Sequence, residues 1–257
     1  MRFLEEEIDL WFTSIVEKAV QKFKKKIIYS KVDLKQVLFE QLTGLSIEKQ
    51  HIERVLEEVG IEDVKVFARR LRELSKPMLI AANKIDLPKA PENYEKLKKE
   101  FPHYIIIPTC AEGEIALKKA SRSGLIEYEE GDGFRILKDE RLNERQREAL
   151  RYIKERVIDK FGSTGVQQAL NDAVFKLLKY IVVYPVANAT KLTDTKGNVL
   201  PDAFLVPSGT TLKEFAYKIH TDIAERFIGG IDARTKRKLS ADYVLRHNDV
   251  VEILFRK

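Results

Sequence analysis

Asn83-Lys84-Ile85-Asp86 follows directly on the apolar run Met78-Leu79-Ile80-Ala81-Ala82, and residues of these types could read a purine ring. A carboxylate at Asp86 can accept from two adjacent donors at once. The N1-H and exocyclic N2 amine of guanine form such a pair and adenine has none; each charge-assisted bond contributes roughly 1.5–3 kcal/mol. Asn83 can brace the loop and reach the N7 edge, while the aliphatic stem of Lys84 can lie over the base plane. A second apolar run, Tyr104-Ile105-Ile106-Ile107, ends at Pro108 and leads into Thr109-Cys110-Ala111-Glu112-Gly113-Glu114. Ligands of open α/β sheets bind beyond the carboxyl ends of the strands, so this loop is the natural second wall of one site.

The elements that must position these loops follow from periodicity. Leu4, Ile8, Trp11, Ile15 and Ala19 recur at helical intervals, as do Ile52, Val55, Leu56 and Val59, then Val64, Phe67, Leu71 and Leu74, so residues 1–75 read as helical. Ser46 is the expected cap of the second stripe and Gly60 its expected stop. The Lys24-Lys25-Lys26 run reads as a solvated helix face. From Lys76 to residue 142 short apolar strands alternate with charged helices, such as 92–101 and 114–123. The two strands are apolar at successive positions, as parallel strands covered on both faces are, and two such strands call for more sheet. Residues 143–180 return to helix: Leu150, Ile153 and Val157 mark one stripe, and Ala169, Ala173, Leu177 and Tyr180 another. From residue 181 to 257 strands surround one amphipathic helix, with a turn at Lys196-Gly197-Asn198 and a last strand at Val250 to Phe255. Thr211 with Glu214 opens that helix as a capping box, and Leu212, Phe215, Ile219 and Ile223 form its buried stripe. One helix against a small mixed sheet suggests a β-grasp, ubiquitin-like fold.

Composition bounds the function classes. The 257 residues, 44% hydrophobic and 33% charged, suffice for two modest cores. Forty-six Lys and Arg against 40 Asp and Glu leave a formal charge of +6, a bias compatible with RNA without requiring it. No DNA partner is expected. No apolar stretch has the length of a membrane span and no basic, apolar leader opens the chain, so a cytoplasmic protein without a membrane partner is expected. Cys110 is the single cysteine and the four histidines lack ligand spacing, so neither a disulfide within the chain nor a metal site is expected.

Family resemblance sharpens this reading. The 83–86 and 109–111 segments resemble the fourth and fifth motifs of small G domains, with Cys110-Ala111 where Ser-Ala is usual. That resemblance implies guanine recognition by Asn83, Lys84, Asp86, Cys110 and Ala111, with the Ala111 N–H meeting guanine O6. Gly197-Asn198-Val199-Leu200-Pro201-Asp202-Ala203-Phe204, Gly209-Thr210-Thr211-Leu212 and Ala216-Tyr217-Lys218-Ile219-His220-Thr221-Asp222 closely resemble a TGS domain. The combination resembles the archaeal and eukaryotic branch of Obg-related, YchF-type GTPases. Phe3 to Trp11 resembles the start of that branch's helical insertion, and Phe161 to Gln167 a segment preceding its TGS domain. The expected fold class is therefore α/β and α+β: a partial P-loop-type G domain with a helical insertion, then a β-grasp TGS domain.

The resemblance implies GTP and GDP as ligands and association with ribosomes or other RNA. Arg234, Lys236, Arg237 and Lys238 match a basic family pattern and are the RNA-contact candidates, with a solvated hairpin as the equal alternative. His220 is expected to cap or pack. No Gly-x-x-x-x-Gly-Lys-Ser/Thr occurs in the sequence, and Gly162-Ser163-Thr164-Gly165, followed by no Lys, reads as a turn between helices. The family's phosphate and Mg²⁺ motifs are expected upstream of Met1. No catalytic residue is assigned, and the 257 residues alone are expected to bind GTP weakly without hydrolysing it. The alternative is a non-catalytic ribosome or RNA adaptor with a vestigial guanine pocket.

Overall fold

A computed structural model describes residues 2–27, 33–45, 47–200 and 202–256. The expected cap Ser46, the motif residue Pro201 and the side chains of Lys25 and Lys26 lie outside the described residues. The chain divides into two compact units, Met1–Met78 and Leu79–Lys257.

The first unit is made of α1 (Arg2–Ile27), α2 (Leu34–Leu42), α3 (Lys49–Val59) and α4 (Val64–Ser75). Phe12, Val16, Ala19 and Val20 of α1 pack on Leu38 and Leu42 of α2, Ile52 and Val55 of α3, and Phe67 and Leu71 of α4. The buried face of α1 thus lies one residue on from the expected stripe, and Trp11 is 56% exposed. Sequence spacing fixes a helix but leaves the choice between adjacent apolar residues to packing partners. Glu48 and His51 form a capping box at the start of α3, and Asp63 caps α4 through the Lys65 and Val66 amides. The guanidinium of Arg72, buried on α4, meets Asp9 of α1 at 2.8 Å.

The second unit opens with β1 (Leu79–Ala82), α5 (Ala90–Glu100), β2 (Ile105–Pro108) and α6 (Ala111–Arg122). β1 and β2 are parallel, with Ala82 opposite Pro108. Their apolar runs have the β-branched content that suits a pleated surface, yet only Ile106 and Ile107 are buried. β3 (Ile126–Tyr128) and β4 (Phe134–Ile136) form an antiparallel hairpin that periodicity did not reveal, because each run is only three residues long. α7 (Glu144–Ile153) runs into a wider π turn, Lys154–Ile158, then α8 (Asp159–Phe161), α9 (Val166–Asn171) and a second π turn, Asp172–Leu177.

The remaining elements are β5 (Tyr180–Val186), β6 (Phe204–Pro207), α10 (Leu212–Ile219), α11 (Thr221–Glu225), β7 (Phe227–Asp232), β8 (Lys238–Leu239) and β9 (Asp249–Phe255). The sheet order is β6-β5-β9-β7-β8, with β5 and β9 parallel and the other pairs antiparallel. β5 and β9, the first and last of these strands in chain order, therefore lie side by side with α10 packed on the sheet, the β-grasp arrangement. Leu212 and Phe215 bury their side chains on Ile181, Val183, Val206, Leu245 and Val251, each side chain contributing roughly 1.5–3 kcal/mol by burial. Thr211 and Glu214 cap α10 reciprocally. His220 breaks the expected continuous helix: its Nδ1 accepts from the Asp222 amide at 3.2 Å and restarts the chain as α11.

Candidate nucleotide-base site

The carboxyl end of β1 turns outward at once. Asn83 and Lys84 are exposed, Ile85 is buried and Asp86 is half-buried, an alternation that pins the loop by one apolar residue and presents the polar ones. Lys84 takes a φ of 64°, a left-handed conformation that costs a side chain roughly 1–2 kcal/mol and that clusters at functional sites. The Ile85 amide donates to the Thr109 carbonyl at 3.1 Å, and the Thr109 amide to the Ala82 carbonyl at 3.0 Å. These bonds extend the β1–β2 ladder into both loops and tie the two walls to each other.

Side chains complete the lacing. Asn83 Oδ1 accepts from the Ala111 amide at 3.1 Å, and because the oxygen is the accepting atom, its Nδ2 amine is left to donate elsewhere. The Ala111 N–H is thus already engaged, so a guanine O6 would share this donor; the sequence alone did not reveal that competition. α6 starts at Ala111, earlier than the charged pattern implied, and its positive end favours an electronegative oxygen there. The Cys110 thiol donates to Asp86 Oδ1 at 3.3 Å. Burial pushes that thiol up to about 11, with the Asp86 carboxylate adding to the shift. Cys110 therefore keeps its proton and stands in for a hydroxyl, as a longer and weaker donor.

Three contributors escaped the sequence reading. The Thr164 carbonyl accepts from the Cys110 amide at 2.8 Å, and Gly165 is packed so closely that a Cβ there would lie 1.9 Å from the Pro108 carbonyl oxygen, at a φ of +76°. Gly162-Ser163-Thr164-Gly165 is therefore a buckle under the base loops as well as the expected turn between helices. Glu114, buried on α6, accepts from the Tyr128 hydroxyl at 2.7 Å and from the buried Thr164 hydroxyl, and pairs with Lys118 at 3.4 Å. Burial and the Glu114 contact raise the Tyr128 hydroxyl far above its ordinary range, so it stays a donor. Tyr152 of α7 donates to the Asp86 carbonyl at 3.1 Å. A Gly-Ser-Thr-Gly segment gave a detectable signal for the buckle; an exposed tyrosine on a charged helix gave none.

This geometry stands beside clear relationships. A family described as Obg-like GTPase YGR210-like, G4 motif-containing domain, matches residues 81–188, and the TGS domain matches residues 196–255. A crystal structure of a GTP-binding protein from Pyrococcus horikoshii OT3 is 38% identical, covers 99% of this chain and 70% of its own, and superposes with a TM-score of 0.81. The chain belongs to the Obg-like GTPases. Within the family it is similar to the GTP-binding protein MJ1332 of Methanocaldococcus jannaschii, at 46% identity over 99% of this chain. A GTP-binding protein of Schizosaccharomyces pombe, C428.15, is 26% identical over 88% of the chain. The chain spans 66% and 59% of these two relatives. The YchF GTPase of Schizosaccharomyces pombe, at 14% identity and a TM-score of 0.53, shares the fold. The Obg-like fold class is thus a G-domain-like α/β portion joined to a β-grasp TGS domain.

The basic segment of the TGS domain is less uniform than its sequence. Lys236 sits at a φ of 61° and donates its ammonium to the Ala189 and Ala233 carbonyls at 2.7 and 2.6 Å. Arg234 donates to the Asn248 carbonyl at 3.0 Å. Arg237, just before β8, and Lys238, its first residue, are exposed. Of the four RNA-contact candidates, Arg234 and Lys236 hold the loop together, whereas among the described residues Arg237 and Lys238 make no such side-chain bond. Among the described residues no helix is long and apolar enough to cross a membrane.

Proposed function

We propose that the chain binds guanine nucleotides and that Asp86 selects the base. The observation carrying this reading is the half-buried carboxylate at the carboxyl end of β1, facing a loop laced to its own through Asn83 and Ala111. A carboxylate offers about four acceptor positions, and the long contact from Cys110 leaves room for the paired N1-H and N2 donors of guanine. Asn83 Nδ2 donates to N7, Lys84 covers one face of the base, and Ala111 shares its amide with O6. The relatives named as GTP-binding proteins support this choice of base. Phosphate binding, Mg²⁺ coordination and hydrolysis are not assigned to these residues.

The TGS domain acts as the docking module toward ribosomal or other RNA in the cytoplasm, with Arg237 and Lys238 contacting phosphates. Phosphate contacts position a protein without reading sequence. The division of labour is base reading in residues 76–142 and docking in residues 181–257, with the helices of 143–180 between them.

Titration of the chain with guanosine and adenosine diphosphates tests the central claim. Guanine is preferred by roughly tenfold or more, as loss of a charge-assisted pair requires; equal affinities would remove the assignment of Asp86.

A further inference from the structure

Asp86 is held by a group that neither base loop contains. The Tyr152 hydroxyl donates to the Asp86 carbonyl at 3.1 Å and lies 3.4 Å from Oδ2, while the Cys110 thiol bonds Oδ1 at 3.3 Å. The Tyr152 hydroxyl has one proton, shared between the Asp86 carbonyl and Oδ2, so it and the Cys110 thiol together bear on the two carboxylate oxygens and limit rotation of the carboxylate. Tyr152 also ties down the backbone beneath it. Both donors keep their protons, since burial and the nearby Asp86 carboxylate raise the Tyr152 hydroxyl as well as the Cys110 thiol.

Packing fixes where that hydroxyl stands. Leu150 and Ile153 of α7 are buried with Leu117 and Ile126. Past Ile153 the helix widens into the π turn Lys154–Ile158, which carries Val157 onto Ile85 and Cys110. Such wide turns occur frequently at functional sites. The helix is thus anchored on both sides of Tyr152, which itself is 42% exposed.

We propose that Tyr152 is a positioning residue for base reading: its hydroxyl holds the Asp86 carboxylate in the orientation that meets guanine's paired donors, so that nucleotide choice depends on α7. This rests on the assignment of Asp86 to guanine. The side-chain contacts on Asp86, at 3.3 and 3.4 Å, are long, and a carboxylate has acceptor capacity to spare, so the base enters beside Tyr152 without displacing it.

The test is a double-mutant cycle on the full chain, comparing guanosine and xanthosine diphosphate binding in wild type, Tyr152→Phe, Asp86→Asn and the double variant. Tyr152→Phe lowers the guanine-over-xanthine preference about three- to tenfold, and adds no further change once Asp86 is Asn. A purely structural role would weaken both nucleotides equally and leave their ratio intact, which overturns the proposal. Tighter guanine binding by Tyr152→Phe also overturns it, because the hydroxyl would then be a plug. If Tyr152→Phe leaves the ratio intact while Asp86→Asn shifts it, only the positioning role fails; if Asp86→Asn shifts nothing, the base assignment fails with it.

Discussion

The base loops and the TGS domain are built in opposite ways. In the TGS domain one helix closes a five-stranded sheet, and Val183, Val206, Leu212 and Phe215 are fully buried between them. In the base site two short strands pair only with each other among the described residues, and order comes from loop bonds: Asn83 to Ala111, Ile85 to Thr109, Cys110 to Thr164 and to Asp86. Apolar burial is non-directional and tolerates small errors, whereas a hydrogen bond is lost when its partner shifts by an ångström. The TGS domain should therefore be stable and forgiving, and the base site locally strained, easily opened and sensitive to single residues. That would suit the proposed tasks, since a ligand site draws on the low-stability part of a fold.

The strongest way to break this contrast is at the buckle. Gly165→Ala places a Cβ against the Pro108 carbonyl at a backbone angle that disfavours side chains, so it should destabilise the base site by roughly 3 kcal/mol or more. Urea unfolding followed by Cys110 alkylation reports it, since the single thiol lies inside the site. Labelling accelerates in the variant while TGS amides keep their protection. Equal loosening of both regions would mean that they form one cooperative body.

Hydrogen exchange on the unaltered chain sharpens the same point with a smaller effect. The amides of β1 and β2 exchange by local opening at least about tenfold faster than those of β5 and β9, because fewer buried contacts oppose it. Equal protection contradicts the contrast. A still smaller loss, about 1 kcal/mol, is expected for Thr211→Ala, which removes the cap of α10. Differential scanning calorimetry should place that loss in the TGS transition, with nucleotide binding unchanged.

The smallest effect on stability belongs to Arg237→Ala with Lys238→Ala, within about 0.5 kcal/mol for exposed residues. Their loss lowers affinity for unrelated RNAs equally and reduces the log-log salt slope by up to roughly 0.7 for each lost single-strand contact. Unchanged ribosome co-sedimentation and slope would make the segment a solvated loop. Lys236→Ala is the matched control: it releases the Ala189 and Ala233 carbonyls and so costs stability as well as charge.

What could be read from sequence follows the same division. The capping box at Thr211, the stripe from Leu212 to Ile219 and the strand pattern of residues 181–186 are local signals, and the family resemblance of the TGS segment rests on contiguous residues. Asn83, Lys84 and Asp86 could be proposed from sequence for the same reason, being one short segment after an apolar run. Tyr152 lies 66 positions from Asp86, so nothing local links them. The buried face of α1 was displaced because Trp11 and Phe12 satisfy the same helical spacing, and only partners on α2 and α4 choose between them. Lys236 looked like its basic neighbours until a left-handed turn aimed its ammonium at two carbonyls.

The claim on which the rest depends is that the Asp86 carboxylate chooses the base. Asp86→Asn replaces an acceptor by an amide whose donor would face the N2 amine of guanine, whereas xanthine presents a C2 carbonyl that accepts it. Competition between guanosine and xanthosine diphosphates on this variant measures the exchange directly. A reversal of preference toward xanthine, by roughly tenfold or more relative to wild type, is the predicted result; an unchanged preference for guanine would contradict the account.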